Sequence, residues 1–407
     1  MRTVMSRVAA WLAGLLAVVL LVQREWTPNG LMADRWFALP HQSLYVAGVL
    51  ALLSGVAAAH LLSGVDLWVR AATVTGSAIA LMLAQVLLSP GVIFGGILVG
   101  VFLAAVLSAR PGDAGHSVAV IAGVVTGYVA MAVAHLDLAT PRRYADYIVQ
   151  SEPVLGLLGA LGLVTLIVAA LARRTPGDRR IVVGAVILAA TGLLLVAIPL
   201  PGNTAVSIAR VAIAAVVTAL VALWLGGRGG IFLIVCMVVA GAAFPVLQSG
   251  LNVEVAGAAV VAVCVLVGVV AGLRLAHPLA SIAAPLLVAA AALLGAQFQQ
   301  IYFLFAIAAA AGYAITAAFP RGKNLTMYAI LGVGSLFAGP VAAVSYAQMA
   351  VEFGWTAYAP PGTPYLSHVQ FSYFGASQPV VVAVVCVVAA SSIATTWWLT
   401  RRLVLDS

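Results

Sequence analysis

One side chain in this sequence is placed where it could do unusual chemistry. Arg210 sits inside a long apolar run, Ala205 to Leu225, roughly two turns from one end. A guanidinium inside hydrocarbon is costly unless it is paired or reaches water. It therefore reads either as an anion-coordinating group in a cavity or as a cation whose stem snorkels to the nearest interface. Amides come next. Gln85, Gln248, Gln297, Gln299 and Gln300 fall near helix ends predicted to share one face, where they either line a vestibule or cap helices. Proton-coupled transport normally uses a carboxylate or histidine within the membrane, where burial shifts its titration. All eleven acids here map to loops or helix ends. The nearest, Glu254, stands at a predicted helix start, where the dipole favours the anion, and it reads as a cap. His60 and His135, each at a helix end, read as interfacial polar groups.

Enzyme chemistry finds no support. Glu25 and Asp34 share one loop, but they are nine positions apart and flanked by Arg24 and Arg35, without the adjacent carboxylates a metal needs. No Ser-His-Asp arrangement or phosphate-cradling glycine loop is visible. Cys236, Cys264 and Cys386 each lie in an apolar run at no metal-binding spacing and read as small packing residues. No enzyme activity, cofactor or metal is expected.

The elements that must position these residues follow from composition. The chain has 407 residues, 64% hydrophobic and 7% charged, with mean hydropathy +1.17. A soluble domain carries about 25% charged residues, so most of this chain has hydrocarbon for solvent. Lipid leaves only helix bundles and closed barrels, because each backbone polar group must be satisfied internally. Apolar runs of about twenty residues, without the alternation of barrel strands, indicate helices. The fold class is all-α, a polytopic bundle of about fourteen spans. They are predicted at 8–22, 44–63, 71–89, 91–108, 117–136, 154–172, 181–199, 205–225, 231–248, 255–273, 279–296, 300–318, 325–350 and 379–399. The first run reads as a retained helix and not a cleaved signal, since Val22-Gln23-Arg24-Glu25 offers no small-x-small site. Pro245, Pro285 and Pro340 interrupt helices and free carbonyls.

Arginine tests the count, because short cytoplasmic loops collect Lys and Arg. Of the nineteen basic residues, fourteen fall on the side of the N-terminus, four on the other (Arg24, Arg35, Arg142, Arg143), and Arg210 inside a span. A missed or invented helix would invert the bias partway along, and it does not invert. The expected location is the cytoplasmic membrane of a bacterium, multi-pass, with both termini inside. The net charge of +8 is spread over loops instead of forming a patch, which argues against nucleic acid.

From Tyr45 to Asp113 the layout is familiar. A helix ends in Ala59-His60-Leu61-Leu62-Ser63-Gly64-Val65-Asp66-Leu67-Trp68-Val69-Arg70; the next reaches Ser89-Pro90-Gly91; a third runs through Gly95-Gly96-Ile97-Leu98-Val99-Gly100. This resembles the second to fourth helices of the major facilitator superfamily, particularly its fourteen-helix drug:proton antiporter branch. Of the family's inner-loop motif the acid and the last arginine stand here, as Asp66 and Arg70, four apart on a helix turn. The resemblance implies six helices in 1–175, two central linker helices in 176–228 and six more in 229–407. It implies a transporter, efflux included, that moves a small amphipathic, lipidic or anionic compound. Arg210, Gln248, Gln297 and Gln300 are the candidate substrate contacts, and Asp66 with Arg70 the candidate conformational latch. The competing expectations are a non-transporting scaffold in a cell-envelope assembly, which would bring membrane-complex partners, and a lipid-linked glycosyltransferase. A carrier should have a polar-lined cavity between its halves. A scaffold could pack that centre with Val, Leu and Ala.

Overall fold

The computed structural model describes residues 2–22, 40–83, 92–110, 112–131, 164, 167, 176–197, 204–247, 255–294, 300–321, 324–342 and 378–405. Thirteen helices lie within them. They are α1 (Arg2–Val22), α2 (Pro40–Leu62), α3 (Leu67–Leu83), α4 (Val92–Ser108), α5 (Ala114–Met131), α6 (Pro176–Ala197) and α7 (Thr204–Leu225). Then follow α8 (Gly227–Leu247), α9 (Val255–Arg274), α10 (Pro278–Leu294), α11 (Gln300–Ala318), α12 (Leu325–Ala338) and α13 (Gln378–Leu405). Each overlaps one predicted span; the sixth span, 154–172, lies outside the described residues except for positions 164 and 167. Among the described residues six helical stretches are long and apolar enough to cross a membrane, five within α1, α2, α7, α9 and α13 and the sixth Leu325–Ala342, which runs from α12 through Gly339; several shorter apolar helices accompany them.

Burial follows composition. α8 is apolar all round, and its residues 229–243 are buried on every side, as a helix without a polar face must be. α9 instead presents one exposed stripe of Val260, Val263, Val267 and Val270. The 3–4 spacing that puts them on one face would be a poor surface in water and an ordinary one in lipid.

The expected continuous span 325–350 is broken. α12 stops at Ala338, Gly339 is extended (φ −69°, ψ 156°) and its N–H bonds back to Ser335 O. The cause is Pro340, whose ring pushes the preceding residue out of the helical region.

Helix directions can be read from close contacts. α1 and α5 run parallel, with Arg7 at Gly115 and Val18 at Gly127; so do α2 and α4, with Ala47 at Gly96 and Ala51 at Gly100. α12 is antiparallel to α2, pairing Phe337 with Gly48, Leu52 with Gly334 and Ile330 with Gly55, and parallel to α8, pairing Tyr328 with Gly229 and Phe232 with Gly332. α8 turns back from α7 through Gly226 and Gly227, both at positive φ (70° and 49°), where a side chain would be strained. α6 packs against α7 with Gly184 near Val221, start against end. α13 runs against α8, with Leu399 at Gly230 and Val388 at Gly241, and α9 along α11, with Ala309 at Gly268 and Tyr313 at Gly272. His116 on Val106 O sets the start of α5 beside the end of α4, and α11 ends a few residues before α12 starts. It follows that α1, α5, α6, α8 and α12 run one way, and α2, α4, α7, α9, α11 and α13 the other. Arg7, Arg70, Arg110, Arg179, Arg180, Arg228, Arg274, Arg321 and Arg401 consequently share one end of the bundle.

The most extensive helix contacts are α2 with α4, α9 with α11, and α1 with α5. α12 packs on α2, α4, α5, α6 and α8; α5 also meets α9 and α11; α6 meets α2 and α12; α7 meets α8 and α13.

Candidate functional site

Five of these helices surround a cavity. Its wall comprises Ala17, Val18 and Leu21 of α1; Gly48, Ala51 and Leu52 of α2; Val99, Leu103 and Leu107 of α4; Val120, Ile121 and Val124 of α5; and Ala329, Ile330, Val333, Gly334 and Phe337 of α12. It is small, about 40 Å³ in volume, and partly open. None of those side chains can donate or accept a hydrogen bond. Ser54, one turn along α2, is committed elsewhere, donating to Ile97 O at 3.1 Å. Water entering such a space would find no partners, so it stays dry.

Hydroxyl-to-carbonyl bonds stand at both ends of the α12 wall. At one end Tyr45 of α2, wholly buried, donates its phenolic hydrogen to Ala338 O at 3.0 Å. That carbonyl belongs to the last turn of a helix, where acceptors lack intrahelical partners, and the Gly339–Pro340 break is what ends the helix there. The neighbouring Phe337 ring meets Tyr128 of α5 edge-on, with centroids 5.2 Å apart and planes at 86°.

At the other end three side chains from three helices occupy the last carbonyls of α4. Thr326 of α12 donates to Leu107 O at 3.4 Å. Arg70 of α3 donates through Nη1 to Ser108 O at 3.1 Å, where a cation also suits the negative end of the helix. The His116 ring of α5 bonds Val106 O through Nε2 at 2.9 Å. Because a carbonyl can only accept, Nε2 carries the hydrogen. His116 is held in turn by its own N–H on Asp113 Oδ1 at 3.1 Å, an N-terminal cap of α5.

The residues singled out from sequence distribute unevenly around this site. Arg70 is part of it. The Asp66 side chain is exposed, while its backbone carbonyl opens α3 by accepting from Arg70 N at 3.2 Å. Arg210 is half-buried on α7 and is absent from the cavity wall. Gln300 begins α11; Gln248 and Gln297 lie outside the described residues, as do Gln85, Gln299, Glu254, His135, Glu25 and Asp34. His60 is buried in α2. Cys236 is buried beside Gly332, Cys264 half-buried and Cys386 exposed. No group of three His, Cys, Asp or Glu able to hold a metal occurs among the described residues.

Tyr45, Thr326, His116 and Phe337 were not visible as site residues from sequence. The one available signal was Tyr45, a phenol opening an otherwise aliphatic run, since a buried Tyr O–H needs a partner. Comparison with family models, curated proteins and solved structures returned no match to this chain.

Proposed function

We propose that this protein is a membrane carrier of the major-facilitator type, moving a small lipidic or amphipathic compound across the bacterial cytoplasmic membrane by rocking two helical halves about their shared seam. The observation that carries the reading is an exchange symmetry in the helix contacts. Number α1–α5 as the first half and α8–α13 as the second. In each half the first helix packs on the fifth (α1 with α5, α8 with α12) and the second on the fourth (α2 with α4, α9 with α11). Across the halves, the second helix of one meets the fifth of the other, in both senses: α2 with α12 and α5 with α9. Exchanging the halves returns these three pairs of contacts, as a two-fold axis requires, while α8 also packs on α10. Because α1 and α8 run the same way, that axis lies along the membrane normal, the arrangement of parallel transporter repeats.

Three further points support it. α6 and α7 stand between the halves in sequence; α6 touches both, through α2 and α12, and α7 the second, through α8 and α13. α6 runs in the direction of α5, as a count of fourteen with its sixth span between them requires. The arginine-rich end then takes the cytoplasmic side, with both termini on it. The cavity is formed by one half plus α12 of the other, so it would open and close as the halves move. Its wall favours a lipidic cargo over an anionic one; Arg210, absent from the wall, and the glutamines are retained as candidate headgroup contacts, and Asp66 with Arg70 as a latch at the cytoplasmic end.

The scaffold reading has one observation in its favour: the cavity wall is Val, Leu, Ala, Ile, Gly and Phe, without a polar group. The two separate in a flux assay. Reconstituted into vesicles containing an NBD-labelled phospholipid or preloaded with N-phenyl-1-naphthylamine, the protein should accelerate movement of at least one probe. Arg70→Ala should change that rate without changing protein yield. Rates equal to those of empty vesicles for both probes would leave the scaffold.

A further inference from the structure

We draw no further inference here: the strongest candidate, the exposed small-residue face of α3 around Ala72, Thr75 and Gly76, where a Cβ added at Gly76 would meet nothing among the described residues, carries nothing because nothing in the structure shows what covers it.

Discussion

Two kinds of helix seam hold this bundle, and they are built from different contacts. At parts of two seams, α1 with α5 and α9 with α11, the contact is backbone against backbone. A Cβ added at Gly14 would strike Val120 O, and one added at Gly123 would strike Trp11 O, so α1 and α5 each use a glycine to admit the other's main chain. α9 and α11 repeat the device, Gly268 admitting Ala309 O and Gly312 admitting Val265 O. Such approach allows Cα–H···O contacts and the dense small-residue packing by which membrane helices associate without a hydrophobic drive. Between the halves, along α2 and α12, glycines instead receive side chains. The nearest atom to a Cβ on Gly48 is Phe337 Cβ at 3.1 Å, on Gly334 Leu52 Cδ1 at 2.7 Å, and on Gly55 Ile330 Cγ2 at 2.9 Å. Side-chain tips can change rotamer and main chains cannot, so a substitution at the first kind of contact has less room to be relieved than one at the second.

Substitutions can break that contrast, and the largest effect is expected inside the halves. Gly123→Val and Gly268→Val put branched carbons into a neighbouring carbonyl, with no flexible atom to yield. The cost should exceed the about 1–3 kcal/mol of ordinary overpacking, and size-exclusion profiles in detergent should show little folded protein. Gly334→Ala meets Leu52, its Cδ1 at 2.7 Å and its Cβ at 3.2 Å, and should cost about 1 kcal/mol, read as a small fall in thermal midpoint, while altering flux. Equal losses for Gly123→Val and Gly334→Ala would erase the distinction between the seams. Tyr45→Phe removes one buried bond and leaves Ala338 O unmet, for about 1–2 kcal/mol; it should favour the state open at that end, seen as faster labelling of a cysteine introduced at Ala338. Thr326→Val gives up a longer bond and should cost about 0.5 kcal/mol, with the same assay at Leu107 reporting the opposite end.

Much of the fold was legible from sequence because hydrocarbon imposes a length and arginine imposes a side. Arg70, Arg110, Arg228 and Arg274 mark one end of the bundle, and contact-derived helix directions put them there without reference to charge. Helix ends were less legible. α12 stops at Ala338, well short of the apolar run that continues past it, since hydropathy does not register the conformational demand Pro340 makes on Gly339. The site was scarcely legible. Sequence reasoning looks for rare polar groups in apolar runs, which led to Arg210. A cavity lined by Val, Leu, Ala and Gly is made of the commonest residues in the chain, and nothing in their order distinguishes wall from packing. Its bounding bonds join positions far apart in sequence, Tyr45 with Ala338 and Leu107 with Thr326. These follow from which helices become neighbours, which periodicity does not specify.

The central claim is that two rigid halves move against each other, and spin-label distances test it most directly. In a chain whose three cysteines are replaced by alanine, labels at Arg110 and Arg321 would span the halves at the arginine-rich end, and labels at Met5 and Arg110 would stay within one half. In lipid nanodiscs the spanning pair should give two resolved distance populations, while the internal pair gives one narrow distance. A single narrow distance for both pairs would contradict the account and leave a static membrane bundle.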